Sequence, residues 1–208
     1  SIKIESLIKT AKKNKMSAIA LTDNGNLFGA MEFTKKAIEN KIKPILGAIV
    51  TVEFKDLINK KKNYYNVTLL ITDNFGWKNL SHLVSNSYLN LKTNNKRHVS
   101  YDDLINYKRG LILLFNDINK AKIIENDAIE IFFLKDLKKE FKDKLYLDLF
   151  REDVKDKSIT EANLLKASYI HDIPLVCTNN ISFLTEEMYE AHDCLMYINQ
   201  STTITDDS

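Results

Sequence analysis

The sequence predicts an α/β fold with a parallel sheet or barrel, and three observations carry that expectation. Short apolar runs alternate with segments of helical period along the whole chain. Several of the runs, such as "GLILLF" and "IPLVCT", are apolar throughout, as strands covered on both faces are. Only two prolines and five glycines occur in 208 residues, and no linker-like stretch divides the chain, so residues 1–208 read as one domain.

The elements follow in order. Ile4, Leu7, Ile8 and Ala11 recur at helical spacing, and "SAIALTD" is a short strand ending in polar residues. "LFGAMEFTKKAIENK" returns to helical spacing through Met31, Ala37 and Ile38. "KPILGAIVTVEF" and "YYNVTLLIT" are β-branched and aromatic runs separated by a lysine-rich turn. Asp73 or Asn74 caps a helix through Trp77, Leu80, Leu83, Val84 and Tyr88. "GLILLF" and "LYLDLF" are strands, and 116–143 carries a dense charge pattern without a clear period. Ser158 to Glu161 has capping-box spacing ahead of a helix through Leu164, Leu165 and Ala167. "IPLVCT" is a buried strand, and Thr185 opens a last helix through Tyr189, Leu195 and Ile198.

Composition narrows the function classes. Thirty basic residues face 28 acidic ones, so the net charge of +2 exerts no global pull on nucleic acid. Only three of the basic residues are arginine, which leaves few candidates for bidentate phosphate recognition. Local clusters, Lys60–Lys62 and Lys96–Arg97–His98, read as solvated loops, with a nucleic-acid-binding module as the competing reading. No run approaches the ~18 apolar residues that cross a bilayer, so no membrane partner is expected. Cys177 and Cys194 form no CxxC pattern, which suits a reducing cytoplasm and two buried structural thiols.

In parallel architectures chemistry sits where strands end. Thr22-Asp23-Asn24-Gly25-Asn26 and Thr178-Asn179-Asn180-Ile181-Ser182 are two such polar strand ends, expected at one rim. A hard-metal hydrolase site needs several carboxylates and imidazoles, whereas these segments offer one acid, Asp23, among amides. Asp23 therefore reads as a helix cap or a turn brace. His82 falls in a helix pattern, His98 in a basic loop and His171 near a helix C-terminus, where a cation is favoured. His192 and Asp193 adjoin on a helix, where neighbours point in different directions, so His192 reads as a packing or interface residue. No nucleophile elbow or glycine-rich phosphate loop is present.

At this point a family resemblance is visible. "MSAIALTDNGNLFGAMEFTKKAIENKIKPILGAIVTV", "NFGWKNLSHLVSNSYL", "KRGLILLF", "LYLDLF" and "IPLVCTNNISFLTEEMYEAHDCLMYI" closely resemble, in order, the PHP (polymerase and histidinol phosphatase) domain of bacterial DNA polymerase III alpha subunits. The resemblance implies a distorted TIM-like barrel of about seven strand–helix units, (βα)7, with its first strand lying before Ser1. It implies that residues after about 199 begin the connection to a following polymerase domain. Metal-competent members begin with a His-x-His strand, and this sequence starts after that point. They follow the retained aspartate with histidine, where this chain has Asn24. Ile49 stands at the position of a glutamate, and Asn66 where a strand often opens with histidine. Asn180 and Ser182 stand in a late strand that otherwise reads Asn-Asp-x-His.

Asp23, Asn24, Ile49, Asn66, Asn180 and Ser182 are thus expected to be the remains of a metal site, with no catalytic residue and no metal or other cofactor in this domain. The resemblance further implies a cytoplasmic parent chain that synthesises DNA with Mg2+ in another domain. It implies docking of the proofreading exonuclease and other replicase subunits, with DNA reached through the parent chain. The competing reading is an active phosphoesterase or nuclease whose remaining ligands precede Ser1.

Overall fold

Strand direction and register in the sheet decide which side chains face which side, and everything else is arranged on that sheet. The computed structural model describes residues 2–55, 62–89, 97–115, 132–150 and 157–200. Among the described residues the strands are, in order, β1 (Ala18–Asn24), β2 (Lys43–Lys55), β3 (Lys62–Ile71), β4 (Val99–Ser100), β5 (Leu111–Phe115), β6 (Leu145–Phe150) and β7 (Leu175–Thr178). The helices are α1 (Ile4–Lys13), α2 (Ala30–Glu39), α3 (Asn74–Leu89), α4 (Tyr101–Asn106), α5 (Phe132–Phe141), α6 (Lys157–His171) and α7 (Tyr189–Gln200). Residues 116–131 and the lysine-rich turn at 56–61, both singled out in the sequence, lie outside the described residues, as does Lys96.

The sheet order is β1-β2-β3-β5-β6-β7, with β4 alongside β2. β5, β6 and β7 are mutually parallel and β4 is parallel to β2. β3 departs from the parallel expectation, because it folds back on β2 as a hairpin and is antiparallel to both β2 and β5. β2 ends at Lys55 and β3 starts at Lys62, too short a connection for the crossover of a dozen or more residues that a parallel pair needs.

Contacts divide the chain into two compact units, residues 1–19, 29–44 and 180–208, and residues 20–28 and 45–179. In the first, α1 and α2 pack on each other. Ile8 and Ala11 of α1 and Ala30, Phe33 and Ala37 of α2 are buried at the spacing that gives each helix one apolar stripe. Lys12 Nζ donates to Asn40 Oδ1 at 3.2 Å.

In the second unit the core lies between one sheet face and the helices. Val50, Val52, Val67, Leu69, Leu113 and Leu147 from the strands meet Leu80 and Leu83 of α3, Leu104 of α4, Leu134 and Leu137 of α5 and Ala167 of α6. Each such aliphatic side chain contributes about 1.5–3 kcal/mol when fully buried. Asp73 caps α3 as expected, its Oδ1 accepting the Gly76 N–H at 2.8 Å. Gly76 lies against the turn before β5: a Cβ there would stand 2.0 Å from the Gly110 carbonyl oxygen. Gly110 itself has φ +76°, a conformation that costs glycine nothing. Of the proposed starts, α7 is preceded by a 3₁₀ turn at Glu186–Met188, and α6 begins at Lys157, which puts Ser158 inside its first turn.

Both cysteines are exposed, against the expectation of buried thiols. Cys177 is on β7, which among the described residues ends the sheet and has a neighbour on one side only. Among the described residues no helix is long and apolar enough to cross a membrane.

Gly76→Ala is expected to destabilise the protein by about 2–4 kcal/mol, because the clash is with backbone that cannot rotate away. Chemical denaturation checks this, with the exposed Asn74→Ala as the near-neutral control.

Candidate functional site

Two of the candidate residues, Ile49 and Asn66, lie on the face of the sheet opposite the core. Directly opposed residues share a face, and successive residues alternate. In the β2–β3 hairpin, Ala48, Val50 and Val52 oppose Leu69, Val67 and Tyr65, all on the core side. Ile49, Thr51 and Glu53 oppose Thr68, Asn66 and Tyr64 on the other. The pairing continues the second set through Leu114 of β5 to Tyr146 of β6, and hence to Asp148 two residues on.

Thr51 Oγ1 donates to Asn66 Oδ1 at 2.8 Å, a cross-strand bond that satisfies the amide oxygen. Next to it, Glu53 Oε2 accepts from Lys62 Nζ and from the Tyr64 hydroxyl, each at 3.0 Å, and His98 Nε2 lies 3.5 Å away. Burial works to raise the Glu53 carboxyl. The hydrogen bonds from Lys62 and Tyr64, with the charges of Lys62 and His98, outweigh it and hold the group below the ordinary carboxylate value. His98 was expected in a solvated loop, but it is buried at 7% exposure because Val99 and Ser100 pair with β2 and draw it in.

The turn after β1 places Asp23, Asn24 and Gly25. Gly25 takes φ +67°, and its N–H donates to the Ile49 carbonyl at 2.8 Å, which brings the turn against β2. Asp23 neither caps a helix nor braces the turn: α2 begins at Ala30, and Asn26 is the brace. Asn26 Oδ1 accepts the Phe28 N–H at 3.1 Å, while its Nδ2 donates to the Asn24 carbonyl at 3.3 Å. Among the described residues the Asp23 side chain makes no hydrogen bond or ion pair, and half-burial raises its pKa. Asn24 is exposed.

The sequence reading missed Asp148, a 4%-exposed acid in the middle of β6. Thr178 Oγ1, at the end of β7, lies 2.8 and 2.7 Å from its two carboxylate oxygens. Burial raises the Asp148 pKa, against hydrogen bonds from Thr178 that lower it. The signal was a single acid interrupting the apolar run "LYLDLF". Asn180 and Ser182 belong to the other compact unit, the first exposed and the second half-buried. In that unit His192 stacks near Phe183, with ring centroids 5.7 Å apart. His82 stacks on Tyr107 at 4.1 Å, and His171 ends α6. Among the described residues no group of three or more His, Cys, Asp or Glu is placed to hold a metal ion.

With this geometry in hand, the chain can be set beside known proteins. The family profile described as "PHP domain" matches residues 1–152. The DNA polymerase III subunit alpha of Rickettsia bellii is 31% identical over 206 residues, covering 96% of this chain and 17% of that protein. That of Borreliella burgdorferi is 35% identical over 218 residues, covering 99% of this chain and 19% of that protein. The chain therefore spans less than a fifth of the length of these relatives. Among solved structures, a proposed metal-dependent phosphoesterase from Bifidobacterium adolescentis superposes with a TM-score of 0.55 at 12% identity, covering 99% of this chain and 93% of that one. An amidohydrolase from Chromobacterium violaceum superposes with a TM-score of 0.50 at 10% identity, covering 88% and 82%. At such identities these structures share the fold alone.

Thr178→Val keeps the shape of the side chain and strips Asp148 of its hydroxyl donor. It is expected to cost about 1–3 kcal/mol at neutral pH. A raised folded-state pKa means that the native state holds its proton to higher pH than the unfolded chain does, so stability falls as pH rises through that interval. The cost of the variant should therefore shrink on acidification, which denaturation at pH 4 and pH 7.5 measures. Asp23→Asn removes an uncompensated half-buried charge, and the same sign argument predicts a higher unfolding temperature than wild type at pH 7.5, with the gain vanishing at acid pH.

Proposed function

The chain belongs to the PHP domain family, and on that premise we propose that it is the PHP domain of a bacterial replicative DNA polymerase alpha subunit, with a metal site that no longer operates. The order and extent of its likeness to DNA polymerase III alpha subunits support the assignment. Template-directed DNA synthesis in the cytoplasm, with Mg2+ as the polymerase cofactor, then belongs to the parent chain. The part played by this domain is to stabilise that chain and to dock replicase subunits, the proofreading exonuclease among them.

The observation that carries the loss of the metal site is the donor set. A divalent cluster needs anionic carboxylates or imidazole nitrogens converging on it. Asn24, Asn66 and Asn180 are neutral amides, Ser182 is a hydroxyl, and Ile49 has no side-chain donor atom. Two of these positions are engaged within the protein: the Asn66 amide oxygen by Thr51, and the Ile49 carbonyl by Gly25. Asp23 remains as one carboxylate, its pKa raised by burial, with no described cation beside it to offset its charge. These residues do not fit a divalent cluster, so no chemical step is derived through one.

Two measurements test the reading. A chain extended upstream of Ser1 is expected to contain less than ~0.1 equivalent of Zn, Mn or Fe after dialysis, and EDTA should leave its unfolding temperature within ~1 °C, because a bound metal stabilises by mass action. Stoichiometric metal together with phosphodiesterase turnover would establish the competing phosphoesterase. Gel filtration of the full-length polymerase chain with the exonuclease subunit should give a complex that is lost when the PHP domain is deleted.

A further inference from the structure

β5, β6 and β7 run parallel and begin at one end of the sheet, the end at which the antiparallel β3 finishes. Ligands of α/β folds bind at the opposite end, where parallel strands finish, so this end lies outside the candidate site. Contacts join the segments found here into one line. The Thr72 N–H and hydroxyl both donate to the Gly110 carbonyl, at 2.9 and 3.0 Å, and Asn79 Nδ2 donates to the Arg109 carbonyl at 2.8 Å. Lys108 donates to Glu140 near the end of α5, and Lys138 of the same helix donates to the Asp172 carbonyl ahead of β7.

Cations are in excess along this line. Arg109, Lys139, Lys142 and Lys144 are exposed and form no ion pair with a described residue. The hydrogen bond from Lys108, with the charges of Lys108, Lys139 and Lys142, holds the Glu140 carboxyl below the ordinary carboxylate value, against desolvation. Lys142 has φ +53°, a left-handed conformation that glycine adopts without cost. The Arg109 guanidinium carbon lies 3.7 Å from the Phe75 ring centroid, so this arginine is ordered before anything binds to it. Phe75 nevertheless stays 51% exposed. Arginine and aromatic side chains are the residues enriched where protein partners are anchored.

We infer that this end of the sheet, with Arg109 stacked on Phe75 and with Lys139, Lys142 and Lys144, docks an acidic segment of a partner protein. Carboxylates complement the unpaired cations, and an apolar side chain between them covers the open part of Phe75. Nucleic acid is the poorer match. Asp143 and Asp172 stand exposed among the cations and repel an unbroken line of phosphates, whereas a protein segment can space its acids to avoid them. The inference rests on these charges and this ring, and not on the polymerase assignment or the state of the metal site.

Fluorescence anisotropy of a labelled peptide of four Asp-Glu-Leu repeats, and of a labelled 12-nucleotide oligo-dT, at 50 and 200 mM salt, tests this. Saturable peptide binding is expected at 50 mM salt and is weaker at 200 mM, because exposed charges are screened. Arg109→Ala is expected to weaken it about tenfold, and Arg109→Lys less, since lysine keeps the charge without the stacking plane. Lys142→Gly should weaken it about threefold while the unfolding temperature stays level or rises, because glycine relieves the left-handed backbone. Lys35→Ala, exposed on α2 in the other compact unit, should leave binding unchanged. Peptide that fails to saturate the wild-type protein overturns the surface. So does an affinity that falls equally in Lys35→Ala, since net charge alone then explains it, or one unchanged in Arg109→Ala. Tighter binding of the oligonucleotide than of the peptide, lost in Arg109→Ala, assigns the surface to nucleic acid and overturns the protein partner. Arg109 is exposed, so its variants should unfold within ~2 °C of wild type. If the alanine variant does not, Arg109→Lys and Lys142→Gly decide.

Discussion

The register of the β2–β3 hairpin is the constraint on which the remainder depends. Pairing Val50 with Val67 puts Val52 and Leu69 on the helix side and, in the same stroke, Thr51 with Asn66 and Glu53 with Tyr64 on the other. A slip of one residue in β2 would carry a carboxylate into the aliphatic core and expose valines instead. The cost of such a slip, several buried aliphatics and one unpaired buried charge, far exceeds the few kcal/mol by which a domain is stable. The site is therefore positioned by the core and not by its own interactions.

Three half-buried or buried acids are handled in three different ways. Glu53 has a lysine, a phenol and an imidazole around it, and stays below its ordinary pKa. Asp148 is more deeply set and has Thr178, a neutral donor, so burial prevails. Asp23 has no described hydrogen-bonding partner. Desolvation acts on all three; what differs is whether a positive charge is close enough to offset it. Two of the three acids are thus held at an energetic disadvantage in the charged form.

Most elements were legible in the sequence, because strands such as "GLILLF" and helices such as 74–89 carry strong periodic or continuous apolar signals. The direction of β3 was not, since the pattern of an apolar strand is the same whichever way it runs. The turn at Asp23–Asn26 was found by its local chemistry, but the role given to Asp23 was wrong, because Asn26 sits in the better geometry for bracing it. His98 escaped because its basic neighbours read as a solvated loop, and Glu53 and Asp148 escaped for another reason. A polar residue alternating with apolar ones reads as solvent-facing, and only the packing of neighbouring strands reveals that it is buried. The burial assigned to Cys177 failed conversely: an apolar run reads as covered, and an edge position leaves it open.

Alternation also explains how such a fold can keep its architecture while its chemistry changes. Ile49 lies between Ala48 and Val50, and Asn66 between Tyr65 and Val67, so each is flanked in sequence by core residues yet touches the opposite face. A histidine, a glutamate or an isoleucine at such a position alters the polar face and leaves the aliphatic layer behind it unchanged. The reverse does not hold, because Gly76 and Gly110 meet at backbone distance and the Val50–Val67 pair fills the core. Selection on folding therefore acts on one set of alternate residues and selection on ligands acts on the other. Family membership can be read from the first set, while the present activity of the domain must be read from the second.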